Sequence, residues 1–298
     1  NTTAENIKLT LSVYLISYGV SQLFVGSWVD ALGRYKINLI ALSIFILSCL
    51  GVVLSNNIYI ILLMRFIQGV AISFIVVCKR SYFIDVYSGA KRKHYTSMLT
   101  MVWATAPIMA PFIGGYLQQS FGWRANFWLL AGYGSIMLLL EWIYSGETIR
   151  VRQSLNFKDT LRNYRKLLQH ADFSLGTILL GLSYTMVMIF GMTIPFIVEH
   201  KFHLSPIYSG YCALVSGVAI FLGGTLGKFT IDKPFYPKLA LANGMQLSIA
   251  VLMLVSTQWI SSLLPMMLFV FFIHLLQGFT YNVYFTYCLT RFPEFAAT

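Results

Sequence analysis

The sequence predicts an all-α membrane protein with about nine visible transmembrane helices. Three observations carry that prediction. First, 57% of the residues are hydrophobic, 10% are charged and the mean hydropathy is +0.71, far from the balance of a water-soluble domain. Second, apolar runs of roughly 18–23 residues recur along the whole chain, each long enough to cross a hydrocarbon core about 30 Å thick as a helix. Third, the cations alternate between loops. Of the 21 basic residues, 17 fall in the loops that follow odd-numbered spans, whereas the other loops hold only Lys8, Arg124 and Lys201.

The spans are expected at residues 7–29, 37–54, 58–78, 95–117, 125–145, 173–194, 205–227, 238–257 and 262–284. Cytoplasmic loops gather Lys and Arg, so the loops rich in cations face inward, the N-terminus lies outside and the C-terminus inside. Those cations are spread over five short loops rather than collected on one face. The net charge of +11 is therefore a topology signal, and nucleic acid is not an expected partner. The one long polar connection is 146–171. In it Phe157, Leu161, Tyr164 and Leu168 recur at helical spacing with Lys158, Arg162, Arg165 and Lys166 between them, the pattern of an interfacial amphipathic helix. Asn156 and Asp159 are candidate caps for it, and a solvated basic linker is the other reading.

Three motifs stand out. The end of the first span and its turn read Gly26, Asp30, Gly33 and Arg34 in a GxxxDxxGR pattern. Gly26 allows close helix approach, Gly33 a tight reversal, and Asp30 and Arg34 can pair with charges on neighbouring helix ends. The third span carries Arg65, Gln68 and Gly69 (RxxQG), and a guanidinium inside a span is costly unless it faces a cavity or a partner. The fourth carries Ala106, Pro107, Ala110, Pro111, Gly114 and Gly115, where the prolines free carbonyls and the glycines open a packing groove.

In this order the motifs resemble those of the major facilitator superfamily. The stretches Arg80–Gly89, Ala106–Gly115, Phe121–Arg124 and Asn163–Leu168 are similar to the Bcr/CflA type of drug:proton antiporter, the bicyclomycin and chloramphenicol resistance branch. That resemblance implies twelve spans in two halves, of which this sequence would hold spans two to ten. The expected division is an N-terminal bundle at 1–145, the cytoplasmic linker at 146–171 and a C-terminal bundle at 172–298. It also implies alternating access about a site near the midplane, with protons driving export of a small molecule from a bacterial inner membrane, by a monomer. The family's proton-carrying acid would lie on the first span, outside this sequence. Ala106, Ala31 and Tyr35 depart from the usual residues of these motifs.

On that reading Arg65 and Gln68 form the coupling site, and a structural clamp is the alternative for Arg65. Asp85, expected just after the third span, joins Asp30 and Arg34 in an intracellular charge network. Glu141 is the one acid placed inside a span, and snorkelling or end-pairing is the expected role, with proton transport as the alternative. Polar and aromatic rows mark a candidate substrate pocket: Tyr14, Tyr18 and Gln22 on the first span, Tyr184 and Met188 on the sixth, and His274, Gln277 and Tyr281 on the ninth. Helix packing would produce the same rows. Gly223, Gly224, Gly227, Lys228 and Asp232 form a faint second-half echo of the first motif, and His200 and His203 are expected in an outer surface loop.

The four cysteines lack metal spacing and no Walker loop is present, so neither a metal, a cofactor nor ATP is expected. A membrane-embedded enzyme would need paired polar catalytic residues that the sequence does not offer. An importer or facilitator of one metabolite on the same fold is the main alternative to export.

Overall fold

A computed structural model describes residues 4–88, 91, 95, 109–149, 157–230 and 233–291. Its helices are α1 (Ala4–Leu32), α2 (Arg34–Leu54), α3 (Ile58–Val86), α4 (residues 109–121), α5 (Arg124–Tyr144), α6 (Phe157–Gln169), α7 (Ala171–Phe196), α8 (Ile207–Phe229), α9 (Phe235–Ser256) and α10 (Leu263–Arg291). Eight of the described helices are long and apolar enough to cross a membrane. They coincide with eight of the nine expected spans. The remaining one, at 95–117, lies largely outside the described residues, and α4 contains its end together with Pro111, Gly114 and Gly115. Pro107, Asn156 and Asp232 are also outside them.

The helices form two compact units. One contains Asn1–Met101 and Ser120–Tyr164, the other Val102–Gln119 and Arg165–Thr298. Residues 109–119 of α4 group with the second unit. In unit 1, α3 packs along α1 and α2, and α2 along α5; in unit 2, α10 packs along α8, α9 and α7. Small residues permit the closest crossings. A Cβ on Gly69 of α3 would collide with Ser17 Oγ and the Tyr14 carbonyl of α1, and a Cβ on Gly278 of α10 would collide with the Ile220 carbonyl of α8. Gly115 of α4 lies against the start of α8, where its Cβ would stand 3.3 Å from the Pro206 carbonyl oxygen.

Two local outcomes differ from the sequence reading. Asp85 lies on α3 itself, which continues to Val86, two turns past the apolar run. The charged extension persists because Lys79 pairs with Glu141 and Asp85 pairs with Arg34, so hydropathy marks where the bilayer ends and not where the helix does. Residues Ile197–Lys201, expected as part of an outer loop, form a π-helical turn after Pro195, with Val198 fully buried. A proline in the last turn removes an amide donor, and the wider turn is one way of re-pairing the freed carbonyls. The connection at 146–171 contains α6, with Leu161 and Leu168 exposed and Leu167 buried, while Tyr164 donates to the Leu23 carbonyl of α1 at 3.2 Å.

Candidate functional site

Arg65 lies on α3 two turns from its start, inside the apolar span. Its guanidinium stands 4.3 Å from the centre of the Tyr14 ring on α1 and 5.7 Å from that of Phe127 on α5. It donates to Gln68 Oε1 at 2.7 Å and to the Thr10 carbonyl at 3.4 Å. Gln68 is fully buried and its amide donates to Cys49 Sγ at 3.2 Å. No carboxylate lies within ion-pair distance of Arg65 among the described residues. The charge is nevertheless sustainable. Placing Arg at the centre of a span costs about 2.5–3.5 kcal/mol on insertion scales, whereas a hydrogen bond to a charged group returns about 1.5–3 kcal/mol and a cation–π contact about 0.5–2 kcal/mol. Tyr18 stacks on Tyr14 with ring centres 6.4 Å apart, and Gln22, one turn further along α1, is half-buried.

At the other end of unit 1 the GxxxDxxGR residues meet α3. Gly33 bridges α1 and α2 with φ 100°, a conformation that favours glycine. Arg34 pairs with Asp85 and, at 3.4 Å, with Asp30, and donates to the Ser81 carbonyl at 2.8 Å. Thr148 adds a hydroxyl to Asp85 at 3.0 Å. Gly26 has open space beside it, so the close approach expected there is not made among the described residues.

Glu147 was missed by sequence reasoning. Gly33 offers α2 no side-chain cap, and the Glu147 carboxylate supplies one from a distant segment, accepting from the backbone N–H groups of Arg34 at 3.0 Å and Tyr35 at 3.3 Å. It also accepts from Thr148 and Ile149. Partial burial pushes its carboxyl up, but the amides of Ile149, Arg34, Tyr35 and Thr148 outweigh that and hold it below the ordinary carboxylate range. No local spacing signals a cap that arrives from 113 residues away. Glu141 pairs with Lys79 and accepts from Ser145, so the acid inside a span is spoken for by an end pair.

In unit 2, His274 of α10 is buried and shares a 2.6 Å hydrogen bond with Ser216 of α8, its ring meeting Phe190 of α7 edge-on at 4.9 Å. Gln277 is buried beside the same crossing, and Tyr281 lies 6.4 Å from Tyr184 of α7, ring centre to ring centre. Met188 is half-buried on α7. The structure thus joins His274, Gln277 and Tyr281 with Tyr184 inside one unit, and joins Arg65, Gln68, Tyr14 and Tyr18 inside the other. Of the proline and glycine motif, Pro111 is exposed while Gly114 and Gly115 are half-buried on α4, with Tyr116 bonded to Tyr211 of α8 at 2.9 Å.

Eight spanning helices in two units, with a membrane arginine beside a Gln–Gly crossing, agree with the family whose model, described as Major Facilitator Superfamily, matches residues 1–298. The chain belongs to the major facilitator superfamily. It is 28% identical over 232 residues to the MFS-type transporter YdgK of Bacillus subtilis, covering 76% of this chain and 58% of that protein. It is 33% identical over 124 residues to multidrug resistance protein D of Escherichia coli, covering 42% and 32%. To the multidrug transporter MdfA of Yersinia pestis it is 26% identical over 182 residues, covering 61% and 44%. This facilitator chain therefore spans at most 58% of the length of these relatives. Among solved structures, a D-xylose-proton symporter matches with TM-score 0.63 at 15% identity over 99% of this chain and 74% of that one. The human organic anion transporter MFSD10 matches with TM-score 0.58 at 16% identity, over 93% and 68%. These last two speak to the fold. The superfamily consists of multi-pass membrane transporters and not of enzymes, which agrees with the sequence reading.

Proposed function

We propose that this facilitator is a proton-coupled exporter of small drug-like molecules, of the Bcr/CflA type, working by alternating access as a monomer in a bacterial inner membrane. The observation that carries the reading is Arg65: a charged guanidinium held inside a span by Tyr14, Gln68 and the Thr10 carbonyl, with no carboxylate paired to it among the described residues. A cation held this way is set to answer a charge that comes and goes, as an acid does when it gains and loses a proton. The names of the multidrug relatives support the substrate class. Asp30, Arg34 and Asp85 form the latch of one closed state, and the Pro111 to Gly115 segment of α4 is the antiporter element that packs on α8.

The test uses the full-length protein in proteoliposomes that enclose a pH-sensitive dye, with candidate drugs added under an imposed proton gradient. Substrate-dependent proton movement that Arg65→Ala abolishes is the expected result. Substrate flux indifferent to the gradient would overturn antiport and favour a facilitator.

A further inference from the structure

Arg65 and His274 occupy matching places. On α3 the residues Arg65, Gln68 and Gly69 read RxxQG, and on α10 His274, Gln277 and Gly278 read HxxQG. Each glycine marks the crossing with a neighbour, Gly69 against α1 and Gly278 against α8. The facing residues correspond as well. Tyr14 precedes Asp30 by the same interval by which Ser216 precedes Asp232; Tyr14 faces Arg65, and Ser216 bonds to His274.

The difference lies in what the glutamine receives. Gln68 Oε1 takes an N–H from Arg65 at 2.7 Å. In α10, His274 is turned to Ser216 and packed against Phe190, and Gln277 Oε1 is buried with no hydrogen-bond partner among the described residues, on a residue only 2% exposed. A buried carbonyl without a donor is costly, so a ligand that supplies one gains affinity there. The surroundings decide the charge of that ligand. Between Phe173 and Ile194, Ile207 and Gly227, Leu239 and Ser256, and Leu263 and Thr290, the sequence contains no Asp, Glu, Lys or Arg. Nothing there would compensate a buried ion, and a neutral donor suits the site.

We propose that Gln277 Oε1 is the acceptor of a hydrogen-bonding subsite in unit 2, one turn from His274 and one turn from Tyr281, that takes a hydroxyl or amide N–H of an uncharged transported molecule. The proposal rests on the export reading and deepens it by naming the chemistry of the substrate group.

The experiment measures equilibrium binding of two probes to the purified full-length protein in lipid nanodiscs. Chloramphenicol is neutral and carries hydroxyl and amide donors; tetraphenylphosphonium is a cation without any. In Gln277→Met the preference for chloramphenicol over the cation falls about fivefold, the order of one neutral hydrogen bond. In Gln277→Glu it falls further, because a carboxylate favours the cation; a shift in preference is a gain for one probe relative to the other, which misfolding does not produce. A wild type that binds neither probe overturns the export reading and the subsite with it. A wild type that binds both, with the preference unchanged in both variants, overturns the subsite alone and leaves Gln277 as a packing residue or the host of a water.

Discussion

Arg65 shows how a residue's type and its geometry make separate contributions. Its planar fork lies over Tyr14 while also donating to Gln68 and Thr10, which an ammonium on a flexible stem does not reproduce. Arg65→Lys keeps the charge and loses a charge-assisted hydrogen bond, roughly 1.5–3 kcal/mol. Coupled flux in proteoliposomes should fall by about tenfold or more while the purified variant stays folded; flux equal to wild type would show that charge alone suffices. That a lone arginine in an apolar run needed partners was legible in the sequence, because the desolvation cost is a property of the residue. Which partners it found was not. Tyr14 and Phe127 are brought beside it by two other helices, and a single chain of letters carries no record of which faces meet.

At the scale of the element, α2 and the α1–α3 crossing make the clearest demands. The cap on α2 is the Glu147 carboxylate, and its sign with pH follows from its lowered carboxyl. A depressed carboxyl contributes stability that is present above the ordinary value of 4.5 and is lost as pH falls below it, through the lower value of the folded state. Glu147→Gln should therefore reduce stability slightly at neutral pH, by the low end of the roughly 0.5–2 kcal/mol of a helix cap since the residue is largely exposed, and lower the thermal midpoint accordingly. Wild type and variant should converge on acidification below about pH 4, and a gap that persists in acid would count against the cap. The crossing is less forgiving. Gly69→Leu places side-chain atoms where Ser17 and the Tyr14 carbonyl stand, so α1 and α3 must separate; a loss of about 1–3 kcal/mol should appear in detergent melting, whereas Gly26→Ala, with open space beside it, should cost far less. Helix existence was readable because the apolar runs repeat with bilayer length. Helix ends were harder, since α3 runs on to Val86 through ion pairs with other elements.

The whole molecule is organised by topology and by repetition. Alternating loop cations predict Lys166 of α6 inside and Lys201 of the π-helical turn outside. Single cysteines at these two positions, tested in intact cells with a thiol reagent that cannot cross the membrane, should label at 201 and not at 166; the reverse pattern would invert the orientation. Among the described residues Cys49, Cys78 and Cys212 are buried, so these three add little background. The echo between halves was half legible. The glycines before Asp232 hinted at it, but the HxxQG of α10 becomes recognisable only when Gly69 and Gly278 are both seen at helix crossings, because three matching letters are too few to stand out unaided.

The distant cap on α2 also sets an order of events during synthesis. Arg34 and Tyr35 leave the ribosome 112 or more residues ahead of the carboxylate that receives their amides. At roughly 5–20 residues per second, that interval is roughly 6–23 seconds. For that time the start of α2 lacks its Glu147 cap, whereas the Arg34–Asp85 pair can form as soon as α3 is made. The cap of α2 is thus completed from behind, by a segment translated only after α5, rather than by the insertion of α2 itself.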